Sequence, residues 1–172
     1  MDSAKRREHI MRELRGAERP VSATKFAKEL SVSRQIIVGD VALLRASGEK
    51  ILATPRGYIL ERTNGQAEYT VACVHDFENM EKELTIMVDN GCTVVNVTVE
   101  HPLYGQLTGP LQLSSRYDVA QFMAACRERG ASPLSTLTGG IHLHVLSCPD
   151  RERFERTYKE LNDAGLIYTQ QS

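Results

Sequence analysis

A chain of 172 residues with 41% hydrophobic and 25% charged side chains has the make-up of an ordinary globular protein, with room for one large domain or two small ones. No apolar run approaches the ~20 residues that span a bilayer, and Met1-Asp2-Ser3-Ala4-Lys5-Arg6-Arg7 lacks the apolar core of a signal peptide, so a cytoplasmic protein without a membrane partner is expected. The net charge of −1 hides a division of labour: residues 1–62 hold 13 Lys and Arg against 8 Asp and Glu, whereas residues 63–172 hold 8 against 14. A basic first third suits contacts to phosphate, and an acidic remainder would be repelled by a polyanion. The four cysteines, Cys73, Cys92, Cys126 and Cys148, are far apart and form no C-x-x-C, which reads as free, mostly buried thiols.

Taken in order, residues 5–14 carry Ile10, Met11 and Leu14 at helical spacing, with Gly16 as a stop. Ser22 is a good cap for a short helix over 23–30, whose apolar face is Phe26, Ala27 and Leu30. After the turn Ser31-Val32-Ser33 a longer helix runs over 34–45, capped by Ser33 and ended by Gly48. Two helices joined by a three-residue turn match a helix-turn-helix. The runs 51–54 and 58–61, joined by Pro55-Arg56-Gly57, read as a hairpin, the wing of a winged helix. In that arrangement the second helix enters the major groove by its N-terminal end. Ser33, Arg34, Gln35, Val38 and Gly39 then face base edges, and Arg56 at the wing tip meets phosphate or the minor groove. Gly39 is anomalous, since a glycine inside a helix costs about 1 kcal/mol relative to alanine. Residues 63–67 form a polar hinge, so the expected domains are 1–62 and 68–172.

The second domain reads as a strand over 69–75, a helix over 77–90, strands over 93–100 and 103–113, a helix from Ser114 or Ser115 to Arg129, a strand over 141–146 and a helix starting at Pro149-Asp150. The class is α+β: a winged helix-turn-helix, then a ferredoxin-like βαββαβ domain with an extra C-terminal helix. Its last strand, within Gly139-Gly140-Ile141-His142-Leu143-His144-Val145, puts two imidazoles on one face, because strand side chains alternate. Such a pair can bind a transition metal such as zinc, nickel, copper or iron. In the usual ferredoxin-like strand order, 4-1-3-2, the first and fourth strands are antiparallel neighbours, which brings His75 to His142 and His144. A carboxylate would complete the shell, and Asp76, Glu78, Glu81 and Glu83 are all near enough in sequence. Periodicity does not choose among them. It also expects the apolar face of the last strand, Ile141, Leu143 and Val145, to pack under the helices, which would put the histidines on the open side, beyond a helical glutamate.

The segments S-V-S-R-Q-I-I-V-G-D-V-A-L-L-R-A-S-G (31–48), A-T-P-R-G-Y (53–58), V-H-D (74–76), V-E-H-P-L-Y-G (99–105) and G-G-I-H-L-H (139–144) together resemble the three-histidine (3H) domain transcription repressors, nicotinate-responsive regulators of NAD biosynthesis and niacin transport genes. The resemblance covers nearly the whole chain. It implies a homodimeric repressor of operator DNA whose second domain holds a divalent transition metal, nickel or zinc or iron, and responds to nicotinic acid. It implies His75, Glu83, His142 and His144 as the metal ligands; Glu83 comes from the resemblance alone. His101, projecting from a Pro/Gly turn, is expected near the ligand pocket without binding metal. Family members usually carry a larger polar residue where this chain has Gly39. Two other readings are a regulator for which the metal itself is the signal and a metal-dependent hydrolase tethered to DNA. For the hydrolase the sequence places no general base beside the metal.

Overall fold

Asp2 opens the first helix, α1 (Ser3–Gly16), by accepting the backbone N–H groups of Ala4 at 2.8 Å and Lys5 at 3.0 Å. In the computed structural model, which describes residues 2–62, 65–130 and 132–169, the chain separates into two units, residues 1–63 and 64–172. Of the expected hinge, residues 63 and 64 lie outside the described residues, and Ala67 already belongs to a strand.

In the first unit α1 is followed by α2 (Ala23–Leu30), capped by Ser22, and α3 (Arg34–Ala46), capped by Ser33. Ser31 ends α2 with φ 51°, the left-handed residue that turns the chain between them. Ile10, Leu14, Phe26, Ile37 and Val41 form the core of this unit. The buried Asp40 is held by Arg6 and by Arg7, which ties α3 to α1. Strands β1 (Ile51–Thr54) and β2 (Gly57–Leu60) make an antiparallel hairpin. Beside its turn the hairpin is pinned where Tyr58 and Val21 exchange backbone hydrogen bonds of 2.9 and 2.8 Å. Gly57 is obligatory there: its φ is +133°, and a Cβ would lie 2.4 Å from the Val21 carbonyl oxygen.

The second unit contains β3 (Ala67–Val74), α4 (Met80–Asp89), β4 (Thr93–His101), β5 (Gly105–Leu113), α5 (Arg116–Arg129), β6 (Ile141–Cys148) and α6 (Arg151–Asp163). Short 3-10 turns at Phe77–Asn79 and Leu134–Thr138 precede α4 and β6. The sheet is wholly antiparallel with the order β3-β6-β4-β5. Renumbered within this unit the order is 1-4-2-3, which corrects the expected 4-1-3-2. Either order splits each βαβ unit with one antiparallel strand and keeps the hairpin strands adjacent, so element order alone does not decide between them. The pairing of first and last strands is common to both.

Helices α4, α5 and α6 cover one face around Val71, Leu84, Met87, Val94, Leu113, Met123, Leu146 and Leu161. The outer edge of β3 is closed by the segment after α6: the N–H of Tyr168 donates to the Ala72 carbonyl at 2.9 Å and that of Val74 to Leu166 at 3.0 Å. The four cysteines are free, with Cys73, Cys92 and Cys148 buried. Among the described residues no helix is long and apolar enough to cross a membrane.

Candidate metal centre and DNA interface

The register of β6 against β3 pairs His142 with Cys73 and His144 with Val71. Since Val71 and Cys73 are buried under the helices, so are the two histidines. This reverses the expectation that Ile141, Leu143 and Val145 would face the helices: Ile141 is 38% exposed, and the other two are half-buried on the open face. Burying imidazoles is tolerable only with a polar partner, and α4 supplies one. Glu83, in its first turn and fully buried, brings its carboxylate against the Nε2 atoms of His75, His142 and His144. The helix N-terminus further favours the anion. The nearby carboxylates are used elsewhere or face water. Asp76 caps the 3-10 turn by accepting from Asn79, Glu78 is exposed, and Glu81 reaches Arg127 at 3.3 Å.

Every ring is fixed from behind. His75 Nδ1 donates to the Asp76 carbonyl at 2.6 Å, His142 Nδ1 to Gly140 at 2.8 Å and His144 Nδ1 to Asn96 at 2.8 Å. The Asn96 carbonyl sits at a bulge where the β4 register shifts after Val94. Carbonyl oxygens only accept, so each Nδ1 carries a proton and each neutral ring turns an Nε2 lone pair inward, as histidines bound to a metal do. The Nε2 atoms in turn face a carboxylate, another acceptor. His142 Nε2 lies 3.1 and 3.2 Å from the two Glu83 oxygens, and His75 Nε2 stands against the same carboxylate.

Such a set requires positive charge at its centre, as added protons or as a metal ion, and three imidazoles with one carboxylate fit a divalent transition metal. The electrostatics agree. Burial alone would raise the Glu83 carboxyl, but the charges and hydrogen bonds of His144 and His142 outweigh it and hold Glu83 at about 2. For His142, burial opposes protonation, yet the hydrogen bond and charge of Glu83 prevail and raise it above its usual 6.5. The Cys73 thiol has its donor atom within 4.8 Å of those of Glu83 and His142 and was not foreseen as part of the site. Burial and the Glu83 charge push it up, so it stays protonated without a cation. Its signal in the sequence was its place two residues before His75, on the same strand face.

Gly140 makes the convergence possible. With φ +93°, its missing Cβ would stand 2.6 Å from the His75 carbonyl oxygen, so only glycine lets the start of β6 approach the end of β3 this closely. His101 is not among the gathered histidines. Its Nδ1 accepts the N–H groups of Leu103 at 3.1 Å and Tyr104 at 3.2 Å, closing the β4–β5 turn.

On α3, Arg34 and Gln35 are exposed. The Ser33 hydroxyl accepts from the Ile36 N–H at 3.3 Å and is engaged as the helix cap. Val38 is half-buried, whereas Ile36, which the sequence reading passed over, is 43% exposed. Arg56 is half-buried in the wing turn, where its N–H donates to Thr54 Oγ1 at 3.2 Å.

A winged helix-turn-helix together with a sheet domain that buries a three-histidine cluster marks a DNA-binding protein with a separate 3H domain. Residues 6–59 match the HTH domain family and residues 68–170 the 3H domain family, and the chain belongs to these 3H-domain repressors. It is 43% identical over 158 residues to the probable transcription repressor NiaR of Thermotoga maritima, covering 92% of this chain and 90% of that protein. It is 39% identical over 168 residues to the transcription repressor NadR of Bacillus subtilis, covering 95% and 93%.

Proposed function

We propose that this protein represses genes of NAD biosynthesis and niacin uptake, with nicotinic acid as co-repressor sensed by a metal-containing 3H domain. The observation that carries the reading is the buried cluster in which the Nε2 atoms of three histidines, each held from behind by a backbone carbonyl, converge on the Glu83 carboxylate. His75, Glu83, His142 and His144 would hold a divalent ion such as nickel, zinc or iron. When bound, that ion supplies a Lewis-acid position suited to a pyridine carboxylate. The chain's own part is to fix the three tautomers through backbone carbonyls, exclude bulk water and tie α4 to β3 and β6. His101, on the same strand face as Val97 and Val99, remains our candidate for the rim of the ligand pocket. Ser33, Arg34, Gln35, Val38 and Arg56 are proposed to meet operator DNA, and two copies of the chain to form a homodimer on paired half-sites.

The test is calorimetric titration of nickel-loaded protein with nicotinic acid, nicotinamide and NAD. Saturable binding of nicotinic acid, weaker for nicotinamide, supports the reading; no heat with any of the three ends it. The convergence of ligands from three elements also suits a second reading, in which the metal is itself the signal. DNA affinity titrated against nickel, with and without nicotinic acid, separates the two.

A further inference from the structure

The outward face of α3 is chemically unusual for a helix that reads DNA. After Arg34 it presents Gln35, Ile36, Gly39, Ala42 and Leu43, all exposed, and the only charge between Arg34 and Arg45 is the buried Asp40. Ile36 is 43% and Leu43 56% exposed. Gly39, at the centre of this face, has ordinary helical backbone, and a Cβ built on it meets nothing within 4 Å. Nothing inside the unit therefore requires a glycine, although it costs the helix about 1 kcal/mol relative to alanine. The surrounding unit is basic and carries Arg34 at the helix start, where major-groove contacts are made. An apolar reading face has one apolar target in the major groove, the C5-methyl of thymine.

We propose that α3 is a thymine reader. Ile36 packs against a thymine methyl, and the missing side chain at Gly39 lets the base edges approach the helix backbone, while Arg34 and Gln35 set the register. The inference rests on the chain being a DNA-binding repressor and adds what it recognises.

Duplexes would be selected from a random pool on the full-length protein, with and without nickel and nicotinic acid. The best site would then be remade with uracil for thymine, which removes only the methyl groups, and binding followed by fluorescence anisotropy. Wild type should bind the uracil duplex roughly 5–10-fold more weakly, the low end of the loss for one mismatched contact. Ile36→Ala should lose a similar factor on the thymine duplex and little more on the uracil one. Gly39→Ala should melt no lower than wild type yet bind at least about tenfold more weakly. Equal wild-type affinity for both duplexes, or undiminished methyl sensitivity in Ile36→Ala, overturns the thymine contact. Full affinity in Gly39→Ala overturns the close approach. Failure of any site to enrich under either condition would remove the DNA-binding reading and this inference together.

Discussion

His142 and Glu83 shift each other in opposite directions, and the signs define a pH window. Glu83 is held at about 2 against an ordinary 4.5, so its stabilising contribution is present above about 4.5 and is lost as pH falls towards 2. His142 is raised above 6.5, so its contribution is complete below 6.5 and is lost as pH rises through the folded value. Metal-free protein should thus be most stable between those limits. A metal ion competes with the very protons that stabilise the empty cluster. Melting curves should show the metal-free Tm falling as pH rises above about 6.5, while the rise in Tm on adding nickel grows over the same interval. A nickel-induced rise that shrinks over that interval would contradict the metal site. His142→Ala and His144→Ala should each abolish metal uptake and the nicotinate response together, leaving the winged helix folded. Elemental analysis of untagged protein checks this, and wild type holding under about a tenth of an equivalent, with no uptake of added nickel, would end the assignment.

Among the elements, the helix-turn-helix was the most legible, because caps, turn and apolar spacing are all local signals: Ser22 and Ser33 cap the helices they were expected to cap. The start of α4 was misplaced by three residues, since Asp76 caps a 3-10 turn before the helix proper begins at Met80. Strand order and the facing of β6 were not legible. Both depend on pairings between residues far apart in the chain, and periodicity treats an alternating His strand as polar outside and apolar inside. The Glu83 carboxylate, 59 residues from His142, inverts that rule, and only the family resemblance had pointed to it. The junction of β3 and β6 has its own test. Gly140→Ala adds a methyl against the His75 backbone at a left-handed position and should destabilise the second unit by about 1–3 kcal/mol. It should also weaken metal binding with the sheet retained, read by nickel titration and circular dichroism; unchanged metal affinity would show that His75 is not placed by this contact.

For the whole molecule, a single winged helix offers few base contacts, and repressors of this kind gain affinity by placing two copies about one helical turn apart, or a multiple of it. A symmetric dimer through the second unit is the expected state, and sedimentation at micromolar concentration, with and without DNA, should show it. A monomer in both conditions would count against it. The closed edge of β3 has a practical consequence. The chain's last described residues are hydrogen-bonded to the strand that leads to His75, so this segment and the histidine cluster share a support. Removing residues 166–172 should expose a sheet edge, lower nickel affinity and promote self-association, all visible by light scattering alongside metal titration.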